Sequence, residues 1–179
     1  SSKEKFSEII VKAIKQIQED GIINLNNIKN WKNKSSSIED TELINGVIID
    51  KERVSIEMPP RIENARIALI SDALEIKNPS SEAKISISSP SQLQEFLNRE
   101  ELLLKEIVNK IEAVGANVIF CQKGIDDVVQ YYLAKKSIYT CRRVAKSDMD
   151  MLSYATGAKI ISNLNEISSA DLGKARIVE

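Results

Sequence analysis

The chain has 179 residues, 42% hydrophobic and 28% charged, with 25 basic against 26 acidic side chains and a net charge of −1. Such a chain is one folded domain, or one with a fragment of a neighbour, and not a disordered tail. No apolar run reaches the ~18 residues of a membrane span, no signal-peptide pattern opens the chain, and balanced charge argues against a general nucleic-acid binder. Histidine is absent, which removes Ser–His and Cys–His catalysis, His-ligated zinc and imidazole proton shuttling. Two cysteines, Cys121 and Cys141, are too few for a zinc cage or a secreted disulfide framework and point to the cytoplasm. Isoleucine is about twice as frequent as leucine, and Lys and Glu are plentiful. A thermophilic source and a biased genome composition explain this equally well.

Residues 3–19 read as an amphipathic helix. Phe6, Ile9, Ile10, Ala13, Ile14 and Ile17 recur on one face, and Gly21 can supply the left-handed residue that ends it. A helix opening at the first residue, followed by a polar turn over 31–37, reads as the cut end of a longer chain. From Gly46 onward short β-branched runs predict strands at 47–49, 67–70, 85–87, 118–121, 138–144, 159–161 and 175–178. Helices over 103–114, 125–135 and 148–156 alternate with the later strands, which predicts an α/β fold with a largely parallel sheet flanked by helices. The strands of the first half, without intervening helices, predict an antiparallel or sandwich-like addition.

Residues 89–114 stand apart. Ser89-Pro90-Ser91-Gln92 fits a capping box with proline at the first helical position, and Gly115 ends the helical stretch. At ~1.5 Å per residue the helix would be roughly 35 Å long, so it must overrun the sheet or break, with Asn98-Arg99-Glu100-Glu101 the weakest point. Its apolar stripe is Leu93, Phe96, Leu97, then Leu104, Ile107, Val108 and Ile111. The proximal four are expected in the core and the distal three in solvent. Leu102 lies opposite the stripe and faces outward. Core packing and a protein-binding surface both account for the distal residues; exposed apolar groups on a protruding helix favour the second.

Little else can carry chemistry. Neither a Walker-type phosphate loop nor G-x-G-x-x-G occurs. Gly124-Ile125-Asp126-Asp127 opens a helix after a strand, a place where anions bind, but its aspartates repel a phosphate and suit the helix dipole. Ser147-Asp148-Met149-Asp150 reads the same way. Cys121 and Cys141 fit buried packing better than reactive thiols. Lys123 with Arg142 is a weak nucleic-acid patch, and Glu100-Glu101 a solvated helix face.

Five stretches carry a resemblance covering essentially the whole chain. They are residues 37–51 (Ser37-Ile38-Glu39-Asp40 through Ile48-Ile49-Asp50-Lys51), 63–70 (Glu63-Asn64-Ala65-Arg66 onward), 115–127 (Gly115-Ala116-Asn117 through Gly124-Ile125-Asp126-Asp127), Arg142-Arg143-Val144, and 155–160 (Ala155-Thr156-Gly157 onward). In this order they resemble group II chaperonins, specifically the archaeal thermosome. Where many members read His-Pro-Gly before Met-Pro, this chain has Ser55-Ile56-Glu57 before Met58-Pro59-Pro60, and Asn30-Trp31 interrupts a usually charged stretch. The resemblance implies a segment of the intermediate domain over 1–34 and an apical domain over 35–179, with a helical protrusion, the built-in lid, at about 76–104. It implies a chaperone module that captures unfolded polypeptides and closes the folding chamber, with other subunits of a double ring as partners, and neither nucleic acid nor membrane. Leu93, Phe96, Leu97 and Leu102 are then the client-binding residues. ATP and Mg belong to the full-length subunit, an ATPase, whose nucleotide loop lies outside these residues; no catalytic, cofactor or metal residue is expected here. A small α/β enzyme with a phosphate-type ligand at Gly124 and a scaffold that docks one fixed partner are the rival readings.

Overall fold

The computed structural model describes residues 2–32, 34, 37–76 and 87–179. They divide into two compact units, Ser1–Asp50 and Lys51–Glu179.

In the first unit, helix α1 spans Ser2–Ile17. Ala13 is its buried residue, with Phe6, Ile9, Ile14 and Ile17 partly covered on the same face and Ile10 exposed. The helix ends two residues before the predicted end because Gln18–Glu19 (β1) turns back on Ile22–Ile23 (β2) as an antiparallel hairpin. Asp20 (φ 49°) and Gly21 (φ 81°) make the turn; two left-handed central residues are what a tight hairpin of this hand requires. Gly21 is therefore left-handed as expected, but as a hairpin residue. A 3₁₀ turn at Ile38–Asp40 is closed by a reciprocal cap, Ser37 N–H donating to Asp40 Oδ2, and Lys5 Nζ donates to Glu39 O. The run at 47–49 is not a strand: it has β propensity but pairs with no strand among the described residues. Within the predicted turn at 31–37, residues 33, 35 and 36 lie outside the described residues, as do 85 and 86 of the predicted strand 85–87.

The second unit is built on β3, Ile62–Ile70. Its C-terminal half, Ile67-Ala68-Leu69-Ile70, is apolar and fully buried, the pattern of a strand covered on both faces. After it come α2 (Pro90–Ala113), β4 (Val118–Cys121), α3 (Asp127–Lys135), β5 (Tyr139–Cys141), α4 (Lys146–Thr156), β6 (Ile160–Ile161) and β7 (Gly173–Val178). The strand order is β5-β4-β3-β6 with all four parallel. The remaining edge of β3 is shared: β6 pairs with Leu69–Ile70, and β7 runs antiparallel along residues 62–67. The antiparallel pairing of this sheet is thus made by the last strand.

One face of the sheet, with Ala68, Ile70, Ile119 and Cys121, packs with Leu104, Val108 and Ile111 of α2 and Val129 and Leu133 of α3. On the other face Ile67, Leu69, Val118 and Phe120 are buried, and α4 lies against β3, β6 and β7. Gly115 (φ 84°) stops α2 and Gly157 (φ 75°) stops α4, both where a side chain would strain the left-handed turn. The predicted strand over 138–144 is shorter, because Arg143 adopts φ 54° and leaves the ladder after Cys141. Among the described residues, no helix is long and apolar enough to cross a membrane.

Candidate functional site

Helix α2 runs unbroken for 24 residues, about 36 Å at 1.5 Å per residue. The polar tetrapeptide 98–101 does not break it: Asn, Arg and Glu on a solvent face are compatible with helix. Ser89 caps the start, accepting from the Gln92 backbone N–H at 3.3 Å. Gln92 does not return the bond to Ser89. Its Oε1 accepts instead from Ser88 N–H (3.0 Å) and Ser88 Oγ (2.9 Å), so the expected capping box is shifted by one residue.

Burial divides the helix sharply. Leu104, Val108 and Ile111 are its buried residues, all in the second half. Ile107, expected in the core, is only partly buried and packs against the cluster from the side. In the first half Leu93 is 45% exposed, Leu97 47% and Leu102 62%, while Phe96 is half-buried rather than open. Moving along the helix from its start, the first tie to another element among the described residues is Tyr132 Oη of α3, which donates to Glu101 Oε1 at 2.7 Å. Residues 90–100 therefore extend roughly 16 Å before that anchor. Leu93, Phe96 and Leu97 lie on one face by spacing; Leu102 does not join them. The result is an apolar ridge on a helical arm that, among the described residues, makes no hydrogen bond or ion pair to another element before Glu101.

Sequence reasoning did not mark the exposed apolar residues that follow on α2 and α3. Leu103 is exposed on α2, and Val128 and Tyr131 are exposed on α3. Lys105 Nζ pairs with Glu101 at 2.8 Å and sits 5.1 Å from the Tyr132 ring centre. Those contacts hold the Glu101 carboxyl below its usual range, Lys105 first and Tyr132 second. A shallow hollow of about 140 Å³ between α2 and α3 is lined by Lys105, Val108, Asn109, Tyr132 and Lys136. Helical spacing marks the α2 stripe, but the hollow depends on the packing of α3 on α2.

The other candidates are accounted for by structural contacts. Asp126 Oδ1 accepts from Val128 N–H at 2.8 Å, and Asp127 Oδ1 accepts from Gln130 Nε2 at 3.3 Å. A carboxylate thus occupies the helix start where a phosphate would have to sit, and the residues there do not fit a nucleotide. Lys123 Nζ is tied to Asp72 Oδ1 at 2.8 Å, which raises its pKa. Arg142 lies exposed just past β5, and Glu100 adjoins the anchored Glu101. Cys121 and Cys141 are free and buried. Phe120 pairs with Cys141 in the register of β4 and β5, so the two thiols project from opposite faces of the sheet and cannot bridge. Burial pushes both thiols up to about 11; Cys121 Sγ donates to Asp72 O at 3.2 Å. No group of three or more potential metal ligands occurs among the described residues.

A sequence model of the TCP-1/cpn60 chaperonin family matches residues 1–179. The chain is 50% identical over 182 aligned residues to a thermosome subunit of Methanopyrus kandleri. It is 52% identical over 181 to a thermosome subunit of Desulfurococcus sp. strain SY. Each match takes in 99% of this chain and 33% of the relative, so the chain spans about a third of the length of these curated relatives. Among solved structures, the open-state monomer of a group II chaperonin from Methanococcoides burtonii matches with a TM-score of 0.77 at 43% identity, over 99% of this chain and 39% of that one.

Proposed function

The chain belongs to the TCP-1/cpn60 chaperonin family, and from that membership we propose that it is the client-binding module of an ATP-dependent chaperonin subunit. Its α/β fold, with a mostly parallel sheet flanked by α2, α3 and α4, matches that of a group II chaperonin. In this reading residues 35–179 act as the apical domain with a protrusion over about 76–104, and 1–34 belong to the intermediate domain. The observation that carries it is the first half of α2, which has no polar tie to another element among the described residues and holds Leu93, Leu97 and Leu102 exposed and Phe96 half-covered.

Fully burying a leucine is worth about 1.5–3 kcal/mol, and these side chains are already partly covered, so each has roughly 1 kcal/mol to offer a client. The three on one face reach about 3 kcal/mol, a Kd of roughly 6 mM before the cost of association. Capture by one copy is therefore weak and indifferent to client sequence. A ring presenting several copies to one unfolded chain converts later contacts into intramolecular ones and raises the avidity by about 10²–10⁴. The same arm, closing over the chamber, would withdraw the ridge from the client. ATP and Mg would act in the part of the subunit outside these residues, since the α3 start carries its own carboxylate cap. Two unbridged buried thiols fit a cytoplasmic setting.

The test is suppression of aggregation of several unrelated unfolded proteins by this chain at excess. Protection of several supports capture of apolar surface in general; protection of none, or of a single partner only, overturns it.

A further inference from the structure

In the first unit, Asn45 is followed by Gly46 on an irregular, exposed stretch of backbone. Gln16 Nε2, in the last turn of α1, donates to Asn45 Oδ1. Gly46 N–H makes no hydrogen bond to another described residue, so neither a ladder nor a helix holds its nitrogen. A Cβ placed on Gly46 would meet Ile44 Cγ2 at 3.8 Å and nothing closer, and the backbone there is not left-handed.

Other asparagines are held differently. Asn24 Oδ1 accepts from Asn26 N–H at 3.1 Å and Asn163 Oδ1 from Asn165 N–H at 3.1 Å, each capping a 3₁₀ turn. Asn117 Oδ1 accepts from Arg66 N–H at 2.6 Å. The residues that follow them are Leu25, Leu164 and Val118. A side chain on the following residue crowds the approach of that residue's nitrogen to the carboxamide, and glycine leaves the path clear.

We propose that Asn45 is a site of spontaneous covalent modification: it cyclises onto Gly46, loses ammonia and becomes isoaspartate or aspartate, with Gln16 assisting the first step. Hydroxide takes the Gly46 amide proton, the nitrogen attacks Asn45 Cγ, and the negative charge of the tetrahedral adduct develops on Oδ1. Gln16 already donates to that oxygen, a donor placed where charge appears. The bond from Cγ to the carboxamide nitrogen then breaks, and the nitrogen leaves as ammonia with a proton from water, which regenerates hydroxide. Water opens the cyclic imide at either carbonyl. Opening at Cγ restores the ordinary chain as aspartate; opening at the backbone carbon leaves the chain running through Cγ as isoaspartate. The sum is asparagine plus water giving acid plus ammonia, with no oxidant or cofactor. Both products place a carboxylate beside the last turn of α1, where the helix dipole disfavours it, and isoaspartate lengthens the main chain by one carbon at the Gln16 contact. The proposal does not rest on client capture by α2.

The test is incubation of the folded chain in mildly alkaline buffer, with peptide mapping by mass spectrometry for the gain of about 1 Da and chromatographic separation of isoaspartate from aspartate. Residue 45 should convert to a mixture of the two while Asn24, Asn117 and Asn163 remain amides. Gly46→Ala, for which there is space, should slow the conversion about tenfold or more by crowding the nitrogen. Gln16→Ala keeps the helix and should slow it about two- to fivefold, less than a buried oxyanion donor contributes. An unconverted Asn45, or Asn24, Asn117 or Asn163 converting as fast, would overturn the site. Aspartate without isoaspartate, or a rate unchanged in Gly46→Ala, would overturn the cyclic route. Unchanged or faster conversion in Gln16→Ala would overturn the part given to Gln16.

Discussion

Replacing Leu93 and Leu97 together by serine removes two apolar anchors from the first half of α2 and touches nothing fully buried. Both side chains are nearly half exposed, and the buried residues of the helix start only at Leu104. Substitutions at such sites cost within about 0.5 kcal/mol each, so the double change should cost about 1 kcal/mol or less, including the lower helix propensity of serine. Ile111 is the control. It is 0% exposed, packed between the sheet and α3, and truncation to alanine should cost about 2–5 kcal/mol in lost burial and cavity. Equilibrium unfolding in urea separates the two, provided the slope is unchanged so that midpoint shifts report stability. If Leu93→Ser/Leu97→Ser moves the midpoint as far as Ile111→Ala, the whole stripe is one continuous core and the projecting arm does not exist.

Cys121 and Cys141 should resist Ellman's reagent at pH 8 and react fully in urea; rapid labelling of the native chain would contradict their burial. Their folded pKa of about 11, against 9.0 for the free thiol, means the folded state holds these protons more tightly. The associated stability is fully present below pH 9 and is lost between pH 9 and 11, at about 1.4 kcal/mol per pH unit for each thiol. Tyr139 extends the loss toward pH 12, and a melting temperature flat from pH 8 to 11 would refute it. Gly173 opens β7 where an added Cβ would lie 2.7 Å from Ala158 Cβ and 2.8 Å from Ala158 N. Gly173→Ala should cost about 1–3 kcal/mol by overpacking, with a neutral melt as the contrary result.

The parts of this fold legible in the sequence are those fixed by local periodicity. The stripe of α2, its Ser89 cap and the turn glycine Gly115 follow from helical spacing and the steric freedom of one backbone position. The runs at 67–70 and 118–121 are strands because they are apolar on both faces, as a helix-covered parallel sheet demands. The run at 47–49 misleads for the complementary reason: a strand is defined by its neighbour, and among the described residues none pairs with it. The β1–β2 hairpin is too short to show alternation, and its signal was only Asp20-Gly21. At the site, spacing alone separates Leu104 from Leu97 only by a length argument, and the half-burial of Phe96 and Ile107 depends on neighbours that spacing does not specify. Tyr132 was invisible because its bond to Glu101 arises only from the packing of α3 on α2.

The client surface itself is tested most directly by site-specific photocrosslinking to an unfolded protein. A photoreactive group placed at Leu97 is compared with one at Tyr154, an equally exposed position on α4. Strong crosslinking from residue 97, reduced by the Leu93→Ser change and absent from residue 154, is the expected result. Equal crosslinking from both positions, or from residue 154 alone, would contradict capture by the α2 arm.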